Sequence, residues 1–126
     1  MVRIIAAGQT ACPRACGIGN AAADAGAAAR VFDKVTYSPW VDGRLFSHLR
    51  QEEVRTLAVT GGKTDVCVLA TVLWANDLGF HVIVSSDAVC RGADETHDAS
   101  VGLLGDRFSV QLELLETEEF LSSVSR

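Results

Sequence analysis

The chain has 126 residues, of which 48% are hydrophobic and 21% charged, and its formal net charge at pH 7 is -5. These values predict one compact domain with a buried core and exclude a disordered chain. The acidic balance without clusters of Lys or Arg argues against nucleic acid or an anionic membrane as a partner, and no apolar run is long enough to span a membrane. We therefore expect a cytoplasmic protein that binds a small-molecule substrate.

Residues 1–30 differ in composition from the rest of the chain. Within them, residues 11–30 are mostly Ala and Gly, which predicts a weak helix or a loop with few apolar side chains to bury. Residues 2–7, VRIIAA, form a short apolar run that predicts a strand. We therefore divide the chain into an Ala/Gly-rich leader at residues 1–30 and a folded domain at residues 31–126.

In the domain, segments with the pattern of strands alternate with segments that have the pattern of helices. In chain order the predicted elements are a strand at 31–34, a turn interrupted by Pro39 and Gly43, a helix from Asp42, a strand at 55–60, a helix from Thr64 or Asp65 to a stop at Gly79, a strand at 81–87, a helix at 95–104, a strand at 110–117 and a helix at 118–124. This alternation predicts an α/β fold, a three-layer α/β/α arrangement of Rossmann-like type with a parallel sheet. In such sheets ligands bind at the carboxyl ends of the strands.

The segment after the 55–60 strand contains GKT, the tripeptide that ends a phosphate-binding loop. A complete loop of that kind needs another glycine five residues before Gly62, so that backbone N–H groups can surround two phosphates. Leu57 stands there, inside the predicted strand. The sequence therefore does not predict a nucleotide-binding loop.

Cys67 lies at the start of the helix that follows. If Thr64 is the N-cap, the Cys67 backbone N–H is one of the unpaired donors of the first turn, at the positive end of the helix dipole. That position favours a thiolate and can supply a hydrogen bond to a developing oxyanion. A small buried hydrophobic side chain is nevertheless the more usual role of a lone cysteine, so position alone leaves both interpretations open.

Three blocks of the sequence resemble the isochorismatase-like cysteine hydrolases, the superfamily that includes nicotinamidase and N-carbamoylsarcosine amidohydrolase. They are VFDKVTYSPW at 31–40, VTGGKTDVCVLATVLWANDLGF at 59–80 and VIVSSDAVCRGADETHDAS at 82–100. The resemblance covers residues 31 to about 120. It implies a hydrolase that cleaves the C–N bond of a small amide, or a related substrate, through a cysteine acyl-enzyme and without a cofactor.

The resemblance also implies roles for individual residues. Cys67 corresponds to the nucleophile, and Lys34, which precedes the pair beginning at Tyr37, corresponds to the catalytic lysine of the family. The cis peptide of the family corresponds to the bond between Gly62 and Lys63, where it helps the backbone N–H groups, including that of Cys67, to form an oxyanion hole.

Three further residues are candidates for the substrate pocket, namely Tyr37, Trp40 and Thr64. Trp40 follows Pro39, and packing of the loop explains it equally well. Cys90 is interpreted as a packing residue. His97 is interpreted as a helix-surface residue or a residue that supports the site from outside, with proton transfer as the alternative.

The family's catalytic aspartate, which ends the first strand, has no counterpart here. Residues 2–8, VRIIAAG, contain no acid, and neither Asp24 nor Asp33 has the right context. The metal-binding Asp and His residues of nicotinamidases belong to the same N-terminal part, so we predict no metal site. The chain thus resembles a truncated, C-terminal portion of the domain that lacks the family's first strand. Its sheet should have an open side, which another copy would cover in a homo-oligomer.

Two functional hypotheses follow. The first is a cysteine hydrolase whose turnover is impaired because the aspartate is missing. The second is a non-catalytic remnant that associates with itself or with a partner.

Overall fold

The structure is a computed structural model that describes residues 2–7, 30, 32, 34–62, 64–90, 94–108 and 110–125. The described elements, in chain order, are β1 (Val2–Ala7), α1 (Arg44–Gln51), β2 (Thr56–Gly62), a π-helical turn (Thr64–Val68), α2 (Leu69–Asp77), β3 (His81–Cys90), α3 (Asp94–Arg107), β4 (Leu112–Leu115) and α4 (Thr117–Val124). The strands form one sheet in the order β1-β2-β3-β4, and every neighbouring pair is parallel. The predicted α/β fold is confirmed.

The helices cover the two faces of the sheet unequally. Side chains of β2 and β3 such as Leu57 and Val82 share one core with Leu49 of α1, Val72 of α2 and Leu104 of α3. This follows from the strand order, because right-handed crossovers that advance in one direction place their helices on the same face.

α4 covers the other face of the sheet. Phe120 is the one buried side chain of that helix, and it packs against Ala58 of β2 and Ile83 of β3. The arrangement therefore has the predicted three layers.

β1 pairs with β2 along its whole length, from Val2 opposite Thr56 to Ala7 opposite Gly61. The strand predicted at residues 2–7 is thus confirmed. The expected open side beside β2 is not found, because parallel pairing with β1 satisfies that edge within the chain. The reason for expecting another copy at this edge is therefore removed. Homo-oligomer formation stays a prediction.

The strand predicted at residues 31–34 is wrong at the two positions that the structure describes, Phe32 and Lys34, which have no regular secondary structure. The Phe32 ring packs on His48 of α1, with 5.6 Å between ring centroids. Phe32 therefore contacts a helix at a position where the sequence predicts a strand.

β3 is longer than predicted, and its pairing with β2 is interrupted by a shift in register. Between the Val59–Val84 pair and the Gly61–Val89 pair, β2 has one residue and β3 has four. Extra residues on one strand redirect side chains away from the regular ladder. Here the redirected stretch includes Asp87, which reaches the start of α4.

Two predictions concern the chain as a whole. The boundary at residue 30 stays a prediction, because residues 8–29 lie outside the described part of the chain. In the part that is described, no helix has the length and apolar character needed to cross a membrane.

Candidate active site

Cys67 lies where β2 passes into the helix, at the carboxyl end of a strand near the middle of the sheet. β2 ends at Gly62, and the helical backbone begins at Thr64 with a π-turn that continues directly into α2. Thr64 is therefore the first helical residue and not the cap that the sequence predicts. π-turns occur frequently at functional sites. Cys67 is the fourth residue of this one, is 7% exposed and carries a free thiol.

The backbone around Cys67 is held by Thr71, which is fully buried. The Thr71 hydroxyl donates to the Cys67 carbonyl over 2.7 Å. The Thr71 carbonyl in turn accepts the indole N–H of Trp40 over 3.0 Å, so one residue contacts both the nucleophile candidate and the loop before α1.

Lys34 is held by its own loop. Its ammonium donates to the carbonyls of Thr36 over 2.7 Å and of Tyr37 over 3.1 Å. The loop is closed further by the Thr36 hydroxyl, which donates to the Ser38 carbonyl, and by the backbone N–H of Trp40, which donates to the Ser38 hydroxyl. The pairing of Lys34 with Cys67 stays a prediction.

The pocket candidates have very different surroundings. Trp40 is 4% exposed and stacks on Phe80 with 5.6 Å between centroids, so the packing interpretation is the one that its burial supports. Tyr37 is 70% exposed, and its contact with a substrate stays a prediction.

Several residues of the predicted oxyanion hole lie outside the described part of the structure. Lys63 does, and with it the Gly62-Lys63 peptide bond; the Thr64 side chain does as well. Gly62 itself ends β2 opposite Cys90 of β3. The oxyanion hole and the pocket role of Thr64 therefore stay predictions.

The strand beside the nucleophile turn ends without an acid. In register, Ala6 lies opposite Thr60 and Ala7 opposite Gly61. Asp24 and Asp33 lie outside the described residues. Within those that are described, no group of three His, Cys, Asp or Glu residues could hold a metal ion, so the part of the chain seen here does not provide a zinc-type site.

His97 is placed differently from the helix-surface prediction, since only 7% of it is exposed. It lies in the first turns of α3, the helix that packs against the Cys67 turn. Its spacing to the buried Ser100 and Leu104, at i+3 and i+7, is the sequence signal that indicates the inner face of the helix.

Asp87, near the carboxyl end of β3, makes a polar contact that the sequence does not predict. Its Oδ1 accepts the Thr117 hydroxyl over 2.7 Å and the Thr117 backbone N–H over 2.8 Å. These two hydrogen bonds lower the pKa of the Asp87 carboxyl below its usual value of 3.8, because they stabilise the ionised form. Asp87 therefore ties β3 to the first residue of α4.

With this geometry established, comparison with known proteins gives consistent matches. A sequence model of the isochorismatase domain matches residues 18–116. The uncharacterized isochorismatase family protein PncA of Bacillus subtilis (strain 168) is 34% identical over 65 residues, which cover 52% of this chain and 36% of that protein.

Solved structures agree with the sequence matches. The pyrazinamidase/nicotinamidase of Streptococcus mutans UA159 superposes with a TM-score of 0.60 at 31% identity, covering 67% of this chain and 45% of that one. An isochorismatase-like hydrolase of Alkaliphilus metalliredigens shares the fold, with a TM-score of 0.65 at 24% identity and coverages of 71% and 47%. The chain thus spans less than half the length of these relatives. The domain match, by contrast, covers most of this chain. The chain therefore belongs to the isochorismatase family.

Proposed function

We propose that the protein is a cysteine hydrolase that cleaves a small amide through an acyl-enzyme on Cys67. The observation that carries the proposal is the buried free thiol in the first helical turn after β2, in a chain of the isochorismatase family. A thiol at a helix start meets unpaired N–H groups and the positive end of the helix dipole, which favour the thiolate.

The reaction has two halves. In the first, the Cys67 sulfur attacks the carbonyl carbon, the C–N bond breaks, and the amine or ammonia leaves with a proton while a thioester forms. A neighbouring cation such as the Lys34 ammonium would stabilise the attacking thiolate. In the second, water adds to the thioester, the C–S bond breaks, and the acid and the thiol are released.

The second half is the step that we expect to be slow. A general base contributes about 10²- to 10⁴-fold by taking a proton from the attacking water. Neither Ala6 nor Ala7, the last residues of β1, can accept a proton, and a lysine ammonium cannot do so while it is charged. Acylation can therefore proceed where deacylation stalls.

Intact-mass spectrometry after incubation with p-nitrophenyl acetate tests the proposal. We expect an acetyl adduct of no more than one equivalent that is absent from Cys67→Ala and retained in Cys90→Ser. An adduct that survives in Cys67→Ala would mean that another residue is the nucleophile. No adduct on the unaltered chain would favour the non-catalytic remnant.

Nicotinamide and pyrazinamide are the amides to test first, because the similar Streptococcus mutans protein is named for both. We expect a trapped acyl-enzyme or very slow release of acid. Rapid multiple turnover that depends on Cys67 would contradict the expected stall and indicate that another group acts as the base.

A further inference from the structure

A chain of hydrogen bonds joins the loop that carries Lys34 to the turn that carries Cys67. We name residues 34–43 the Lys34 segment and residues 64–68 the Cys67 turn. Two consecutive bonds connect them: the indole N–H of Trp40 donates to the Thr71 carbonyl over 3.0 Å, and the Thr71 hydroxyl donates to the Cys67 carbonyl over 2.7 Å. Both bonds are buried.

We propose that Trp40 and Thr71 are positioning residues that fix the Lys34 segment relative to the Cys67 turn. The inference rests on the proposed function, since it takes Lys34 and Cys67 as residues that act together. It gives Trp40 a task different from lining the substrate pocket.

Trp40 is the buried anchor of a segment that is otherwise largely in solvent. Val35 and Tyr37 are exposed, whereas the Trp40 ring is buried against Phe80. Stacking on an aromatic ring supplies stability but leaves the ring free to shift in its plane. The bond from the indole N–H to Thr71 adds direction, because a hydrogen bond weakens steeply as its geometry departs from linear.

Lys34 follows the position of this anchor. Its ammonium donates to the carbonyls of Thr36 and Tyr37, which belong to the same segment, so it is held within that segment. Ser38 then connects the two halves of the loop, since its carbonyl accepts the Thr36 hydroxyl and its own hydroxyl accepts the backbone N–H of Trp40. A displacement of Trp40 therefore displaces the ammonium.

Thr71 is the residue through which the two sides are joined. Its side chain is fully buried, and valine would fill nearly the same volume without a hydroxyl to desolvate. A hydroxyl that bonds to the carbonyl four residues earlier also tends to bend a helix and to weaken it slightly. Packing and helix stability thus do not call for the hydroxyl, whereas holding the Cys67 carbonyl does.

The test compares the rate at which iodoacetamide alkylates Cys67 at a series of pH values from about 5 to 9, with the modified peptide quantified by mass spectrometry. Trp40→Phe keeps the ring on Phe80 and removes the N–H, and Thr71→Val removes only the hydroxyl. Ser100→Ala is the matched control, because the Ser100 hydroxyl makes a 2.7 Å bond to the Thr96 carbonyl, also four residues earlier, on α3. Lys34→Met removes the cation.

We expect Lys34→Met to lower the alkylation rate at neutral pH by about 3- to 10-fold. The effect should be smaller than for a close buried ion pair, because solvent screens the ammonium. Trp40→Phe and Thr71→Val should lower the rate in the same way and leave the maximal rate at high pH unchanged. The double variant Lys34→Met/Trp40→Phe should match Lys34→Met alone, because the indole acts through the ammonium. Ser100→Ala should leave the profile unaltered.

Other outcomes overturn the inference. If Lys34→Met lowers the rate and Trp40→Phe and Thr71→Val do not, positioning is wrong and the proposed hydrolase chemistry stands. Additive effects in the double variant, or an equal change in Ser100→Ala, would indicate general loosening of the fold. If Trp40→Phe does not fold, Thr71→Val decides alone. Failure of the proposed function itself shows separately, as absence of the acetyl adduct on Cys67.

Discussion

Replacing Asn76 by leucine should stabilise the protein. Asn76 lies in the last turn of α2 and is 7% exposed, and neither its amide nitrogen nor its amide oxygen has a hydrogen-bond partner among the residues that the structure describes. A buried amide that has lost its water without gaining a partner costs about 1–3 kcal/mol. Leucine has the same branching of heavy atoms and no polar atoms to desolvate, although its two methyl groups occupy more space than the amide.

The magnitude follows from these two terms. Removing the amide recovers about 1–3 kcal/mol, and accommodating the larger methyl groups of leucine costs up to about 1.5 kcal/mol in a core that can repack. Taking the middle of each range, we expect the free energy of unfolding to rise by about 1 kcal/mol, measured by urea denaturation with an unchanged slope.

Two control substitutions separate the polar term from the packing term. Asn76→Ala removes the amide but leaves a cavity, so it should be close to neutral. Asn76→Asp keeps the shape and adds a charge in a buried position, so it should destabilise at neutral pH. If Asn76→Leu instead lowers the free energy of unfolding, the amide has a partner, either a buried water or a residue in the part of the chain that the structure does not describe, and the reasoning is refuted.

Phe120→Ala should lower the free energy of unfolding by about 3–5 kcal/mol in urea denaturation, because this ring is the contact of α4 with Ala58 and Ile83. Phe120→Leu should lower it much less. Equal losses in the two variants would mean that α4 does not dock through this ring. Asp87→Ala should increase hydrogen exchange at the start of α4 by removing the acceptor of the Thr117 hydroxyl and N–H. Because folding lowers the pKa of Asp87 below 3.8, its contribution is present above that pH and is lost as the pH falls through the folded value. A difference between variant and parent that does not shrink as the pH falls below 3.8 would contradict this assignment.

Local features of the sequence predicted the central part of the fold well. β2, the helical segment after its glycine pair and the stop at Gly79, whose φ is 86°, follow from runs of apolar residues and from the backbone freedom of glycine. β1 was likewise predicted from residues 2–7. These signals depend on neighbours in the chain, so they can be read without a structure.

The errors have a common physical cause. Residues 31–34 have the composition of a strand, but pairing requires a free strand edge, and at Phe32 the contact is with α1 instead. Pairing also decided the extent of β3, whose last residues, Val89 and Cys90, lie beside Gly61 and Gly62. The sequence contains no local mark of either event.

For the site, the sequence alone determined the family resemblance, the position of Cys67 at the start of a helix after a parallel strand, and the lack of an acid in the run that forms β1. Only the tertiary structure decided that Trp40 belongs to the core, that His97 faces inward and that Thr71 connects the two sides of the site. The reason is that burial and long-range hydrogen bonds depend on which elements come together in space. Trp40 and Thr71 are 31 positions apart in the chain, so their contact exists only when the Lys34 segment packs on α2.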